Sequence, residues 1–237
     1  WSSDVCSSDL GQPSDKENNL RGGLFLPAHA LRVGAKLLVA ECGNNRVTIW
    51  NSAPTSPQQP ADFVLGQPDL TTNATNYGGA SARSMRCPSS LATDGVRLYV
   101  GDRDNHRVLV WATFPTQNYQ PADLVIGQEN MTTVAENPKG VTASSLYYPF
   151  VTFAQRLFIT DFGNHRVLVF QSPPSRNYQS ADLVIGQPDA TSNQPNIGMM
   201  PGQVGAAGLN GPSGLVASDG TRLAIADTGN HRVLRSE

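Results

Sequence analysis

Lysine is nearly missing from this sequence. Only Lys16, Lys36 and Lys139 stand among its 17 basic residues, and 19 acidic ones leave a formal charge of −2. Proteins that hold nucleic acid carry a basic excess or a basic stripe, so no nucleic-acid partner is expected. Long apolar runs are lacking too. None approaches the roughly 18 residues needed to cross a bilayer, so no membrane span is expected in this piece. Cysteine is sparse, and with Cys6 set aside for the reason given below, Cys42 and Cys87 form neither a disulfide framework nor a metal-ligand spacing. No glycine-rich phosphate loop follows a strand, and no Ser-His-Asp or Cys-His set carries its flanking signature residues. No catalytic residue and no cofactor is therefore assigned. Helical periodicity is absent, and a chain rich in Asn, Thr, Ser, Gln, Gly and Pro with 15% charged residues reads as turn-rich and all-β.

What the chain does have is repetition. RLFITDFGNHRVLVF at 156–170 recurs as KLLVAECGNNRVTIW at 36–50, RLYVGDRDNHRVLVW at 97–111 and RLAIADTGNHRVL at 222–234. Around this core each unit adds a proline-led run (Pro27, Pro88, Pro149, Pro212) and closes on an alternating segment such as ADLVIGQPD. The closing glycines Gly11, Gly66, Gly127 and Gly186 are 55, 61 and 59 residues apart. That spacing divides the chain into units at about 11–66, 67–127, 128–186 and 187–234, each of four short strands.

The two ends fall outside the repeat. SSDL at 7–10 can be encoded by a stretch ending TTCCGATCT and RSE at 235–237 by AGATCGGAA, which are reverse complements resembling the two ends of a sequencing-library adapter. Residues 1–10 and 235–237 are therefore read as adapter sequence and excluded from the fold. The remainder is expected to be an internal fragment, with balanced charge and with a last unit short of its outermost strand.

The second strand of each unit shows what burial it needs. Leu37, Leu98, Leu157 and Leu223 share a face with Val39, Val100, Ile159 and Ile225, while Leu38, Tyr99, Phe158 and Ala224 lie on the other. A strand apolar on both faces belongs between packed layers. Small sheets buried on both sides and repeated about an axis make a β-propeller, here an open arc of about four four-stranded blades with apolar end faces.

After the second strand comes an acid (Glu41, Asp102, Asp161, Asp227), then a four-residue loop in which Gly, Asn and Asp accept positive φ, then an arginine (Arg46, Arg107, Arg166, Arg232). Within the loop Asn44, Asn105, Asn164 and Asn230 recur, and His106, His165 and His231 precede the arginine. Acid and arginine are expected to pair across the hairpin mouth or onto the neighbouring blade. Asp94-Gly95 and Asp219-Gly220 mark the turn between the first and second strands. The [DE]-x-G-N-[HN]-R-V core, followed by an aromatic and preceded by a proline-led strand, resembles the NHL-repeat family of β-propellers, of bacterial type. The resemblance implies a propeller, often of exported proteins, so an extracellular or periplasmic location is the expectation. Asp104 departs from it where the other copies have glycine, and Asn45 where they have histidine.

The three repeated histidines sit too far apart on a propeller to share an ion, so they are expected to bond their own hairpin or the adjacent blade. His29, two residues after Pro27, should face the central channel. Propeller lactonases and amidating lyases hold metal there, but Ser90, Val151 and Gly214 occupy the matching places, which makes His29 a weak metal candidate. Cys42 and Cys87 belong to loops on one face and are candidates for an inter-blade disulfide in an exported protein. The loops 70–86, 130–148 and 190–210, at 17, 19 and 21 residues, exceed what a strand connection needs. Tyr77, Met85, Tyr147, Tyr148, Met199 and Met200 on them are the expected partner surface. The function expected is non-catalytic binding of a protein or a carbohydrate, with a metal-dependent propeller hydrolase or lyase and a sensor domain of a membrane signalling protein as alternatives.

Overall fold

A computed structural model describes residues 23–56, 59–200, 203–218 and 222–235. Residues 1–10, the opening of the first unit from Gly11, the Asp219-Gly220 turn and residues 236–237 lie outside the described residues. Fifteen strands are described: β1 (Pro27–Val33), β2 (Lys36–Glu41), β3 (Arg46–Trp50), β4 (Phe63–Leu65), β5 (Pro88–Thr93), β6 (Leu98–Asp102), β7 (Arg107–Trp111), β8 (Leu124–Ile126), β9 (Pro149–Ala154), β10 (Arg156–Asp161), β11 (Arg166–Phe170), β12 (Leu183–Ile185), β13 (Pro212–Ser218), β14 (Arg222–Asp227) and β15 (Arg232–Arg235). They form antiparallel sheets β1-β2-β3-β4, β5-β6-β7-β8, β9-β10-β11-β12 and β13-β14-β15, called blades 1 to 4. The inner strands β1, β5, β9 and β13 touch in that order, which makes an open propeller arc around a channel.

The second strands behave as their two apolar faces require. Leu98 and Val100 pack with Leu38 and Ile49 of blade 1, whereas Tyr99 on the opposite face packs with Leu157 and Ile159 of blade 3. Phe158 in turn joins Ile225 and the half-buried Leu223 of blade 4. In blades 2, 3 and 4 the leucine four residues before the acid faces the preceding blade. Leu98 and Leu157 are therefore sealed while Leu37, in the first described blade, is half-buried. Each sealed leucine contributes on the order of 2 kcal/mol by burial. At the ends of the arc apolar side chains meet solvent, as Val233 at 63% exposure shows.

The outer edges of blades 1 and 2 are closed by the blade that follows. Val64 donates its N–H to Asn118 Oδ1 (2.9 Å) and accepts from the Tyr119 N–H (2.9 Å), and Val125 does the same with Asn177 and Tyr178 (3.0 Å each). An unpaired edge invites strand addition, and these Asn-Tyr pairs occupy it.

One local expectation needs correction. The left-handed residue of the hairpin loop is not its glycine but the residue just before the arginine, with φ of 52° at Asn45, 53° at His106, 54° at His165 and 51° at His231. Asn and His are among the side chains that tolerate this region. The glycines are needed for room, since a Cβ on Gly163 would stand 2.2 Å from the Tyr147 ring and one on Gly43 2.2 Å from that of Phe25.

Candidate binding site on the loop face

The acid at the end of each second strand is a buried hub. Asp102 Oδ2 accepts from Asn105 Nδ2 and Arg107 Nε (2.8 Å each), and its Oδ1 accepts from the Arg86 N–H (2.7 Å). Asp161 repeats the set with Asn164, Arg166 and the Tyr147 N–H, and Asp227 with Asn230, Arg232 and the Asn210 N–H. In blade 1 Glu41 takes Asn44, Arg46 and the Phe25 N–H. Complete burial pushes the Asp102 and Asp161 carboxyls above the usual carboxylate range, against the pull of the arginine and the asparagine.

The rest of each guanidinium holds the long loops. Arg107 Nη1 donates to Met131 O (2.6 Å) in the loop after its blade, and Nη2 to Ser81 O and Ser84 O (3.1 and 2.9 Å) in the loop before it. Arg166 binds Ala190 O on one side and Thr142 O and Ser145 O on the other. The Gln after each closing glycine adds a second tie: Gln128 Nε2 bonds His106 O and Ala135 O (3.1 and 2.7 Å). Reciprocal amide pairs Asn76–Asn105, Asn137–Asn164 and Asn196–Asn230 pin each loop to the following hairpin. Acid and arginine thus pair within their hairpin, and the fork clamps both neighbouring loops.

The joints between blades repeat as well. The residue before the leading proline donates its N–H to the left-handed residue of the previous blade: Cys87 to Asn45 Oδ1 (3.0 Å), Tyr148 to His106 Nδ1 (3.4 Å) and Gly211 to His165 Nδ1 (2.9 Å). An accepting Nδ1 requires a neutral imidazole, and burial lowers the pKa of both His106 and His165. That residue meets the side chain of the one just after the previous acid. At the first joint these are Cys87 and Cys42, joined in a disulfide. At the second, Arg103 lies over the Tyr148 ring. At the third, Phe162 covers Gly211.

The second joint opens into a cavity of about 360 Å³ lined by Arg103, Asp104, Tyr148, Phe150 and Phe162. Tyr148 is braced by Tyr147 and His106, ring centres 4.6 and 4.8 Å away. Arg103 Nε bonds Asp104 Oδ1 (2.8 Å), and Arg86 stands 3.9 Å from the other Asp104 oxygen. Beside it the channel holds a second cavity of about 370 Å³ lined by His29, Ser90, Val151 and Gly214, among others.

The family described as NHL repeat matches residues 209–235, the last of the four copies. The chain carries an NHL repeat on a β-propeller fold. No curated protein matches the sequence. Among solved structures this NHL-repeat chain is similar to hydrazine synthase of Kuenenia stuttgartiensis, with 14% identity and a TM-score of 0.49 over 85% of this chain. It is also similar to glutaminyl cyclase of Myxococcus xanthus (10%, 0.45, 89%) and to virginiamycin B lyase of Staphylococcus aureus (11%, 0.40, 89%). The chain spans 42% of the hydrazine synthase chain and 69% of each of the other two. Likeness at this level carries no argument about activity.

Within this NHL-repeat arc the residues expected to meet a partner separate. Met200, Met199 and Tyr77 are exposed at 73%, 47% and 39%, and Tyr147 and Tyr148 are half-buried around the joint cavity. Met85 is not a surface residue. It is 0% exposed, packed into the core between blades 1 and 2, because the hub turns the chain inward just before Pro88. His231 lies on the loop face of blade 4, and His29 lines the channel cavity. Among the described residues no three His, Cys, Asp or Glu side chains stand close enough to share an ion. Arg103, Phe150 and Phe162 were not singled out from the sequence. Comparing the copies outward from each proline and acid would have found them, since Ala28, Ser89 and Ser213 are the counterparts of Phe150.

Proposed function

We propose that this NHL-repeat arc is a non-catalytic binding module that recognises a protein or a carbohydrate through its loop face. The observation that carries the reading is the clamping of the long loops by Arg46, Arg107, Arg166 and Arg232, which presents a fixed surface. Ordering a loop in advance removes an entropic cost of association. Exposed Tyr77, Ile197, Met199 and Met200 supply contact area on that face, and the joint cavity supplies a concave site.

A propeller hydrolase or lyase would draw its ligands from the channel wall. There His29 is matched by Ser90, Val151 and Gly214, which offer no second imidazole or carboxylate. The test places a photo-crosslinking amino acid at Tyr77 on the loop face or at Val96 in the β5–β6 turn, at the opposite end of the strands, in cells of the parent organism. Crosslinks confined to position 77 support the reading. Equal yields at both positions, or substrate turnover abolished by His29→Ala, overturn it.

A further inference from the structure

We infer that the joint between blades 2 and 3 is a pocket for a neutral saccharide, seated on Tyr148, Phe150 and Phe162 and hydrogen-bonded by Arg103 and Asp104. The inference rests on the proposed loop-face binding and names its ligand.

The first ground is that the repeat is broken here and in one direction. Before the leading proline the other blades carry Leu26, Cys87 and Gly211, and this one Tyr148. After it they carry Ala28, Ser89 and Ser213, and this one Phe150. Where Gly43, Gly163 and Gly229 stand in the other hairpins, blade 2 has Asp104. The backbone differs with them. Inner strands β1, β5 and β13 shift register just after the proline, whereas in β9 Phe150 pairs regularly with Thr160. In a repeat whose other joints are held without such groups, three larger side chains gathered around one cavity are not required by the fold.

The second ground is chemical. Three aromatic rings provide flat apolar walls, and the planar Arg103 and Asp104 groups sit at one side. Arg103 gives its Nε to Asp104, and among the described residues its two Nη groups have no hydrogen-bond partner, so the cavity wall carries spare donors beside a carboxylate that accepts. The two lining charges cancel, and the flanking Arg86 and Glu136 cancel again. An anionic ligand would meet Asp104 and a cationic one Arg103. A ligand with an apolar ring face and adjacent neutral hydroxyls meets neither penalty, and that describes a sugar. A peptide binding as an added strand would need a free sheet edge, and those of blades 1 and 2 are occupied by Asn118-Tyr119 and Asn177-Tyr178.

The test is calorimetric titration of the whole chain with cellohexaose, maltohexaose, chitohexaose and, as a charged control, hexagalacturonate. The variants are Asp104→Gly and Phe150→Ser, each restoring the residue that other blades carry, so that folding is retained. Saturable binding of a neutral oligosaccharide at one site per chain is expected, with each variant weakening it about tenfold and leaving the melting temperature in place. Three results overturn the assignment: no neutral oligosaccharide binds, hexagalacturonate binds more tightly, or both variants bind as the parent does. If none of the sugars binds while crosslinking at position 77 persists, the saccharide pocket fails and the loop-face reading stands. Loss of that crosslinking with sugar binding intact has the reverse meaning.

Discussion

Arg103 stands over the ring of Tyr148, its guanidinium carbon 5.9 Å from the ring centre, at the positions that Cys42 and Cys87 occupy one joint earlier. Phe162 and Gly211 fill the same positions one joint later. What the fold conserves there is contact across the joint and not a residue type, because the N–H bond to Asn45, His106 or His165 already sets the distance. The second joint is thereby free to carry polar and aromatic groups.

The Cys42–Cys87 bridge closes a loop over a sequence separation of 45. Loop-closure entropy of that length corresponds to about 4 kcal/mol as an upper bound. Urea unfolding with and without reductant should show a loss of about 2–4 kcal/mol, and peptide mapping without reductant should recover the two cysteines in one fragment. Recovery of both as free thiols from protein kept under air contradicts the bridge.

The joint histidines make a pH prediction. Folding lowers the pKa of His106 and His165 below the ordinary value of about 6.5, so the stability they contribute is complete above that pH. It is lost as pH falls through their lowered folded values. The melting temperature should therefore drop as the pH is lowered below about 6.5. Replacing both by asparagine, which already serves as acceptor at Asn45, should flatten the drop while keeping the bond. An unchanged slope in the double variant rules the histidines out as its source.

The sealed guanidiniums should not tolerate lysine. Arg107→Lys keeps the charge beside Asp102 but cannot also reach Met131, Ser81 and Ser84, leaving buried carbonyls unpaired. A loss of about 3 kcal/mol or more is expected in chemical unfolding. Arg232→Lys should cost less, since that side chain is 25% exposed. Equal effects at the two sites contradict the clamp.

Space rather than conformation decides the hairpin glycines. Gly163→Ala forces a Cβ against the Tyr147 ring and should cost about 1–3 kcal/mol. Asp104→Gly, at the same position one blade earlier, should change stability by less than about 1 kcal/mol. Differential scanning calorimetry of the two variants separates these outcomes.

The blades were legible because the alternation of Leu98, Val100 and Tyr99 already states that β6 is buried on both faces, and four copies of that statement leave few architectures. The acid and arginine were legible as a pair. Their reach to Met131, Ser81 and Ser84 was not, because the partners are backbone carbonyls that leave no mark on residue identity. Met85 looked like contact surface from its place in a polar loop, and nothing local shows that Asp102 draws the neighbouring Arg86 N–H inward. The joint cavity was half legible. Asp104 and Tyr148 stood out singly, but their convergence with Phe150 and Phe162 depends on the curvature of the arc.

The most direct test of the clamped loop face is amide hydrogen exchange at Arg86, Tyr147 and Asn210, whose N–H groups each lie 2.7 Å from a buried hub carboxylate. Exchange as slow as that of β6 and β10 is predicted at these three loop amides. Exchange at the rate of a solvated chain would contradict the clamp, and with it the fixed surface on which the proposed binding depends.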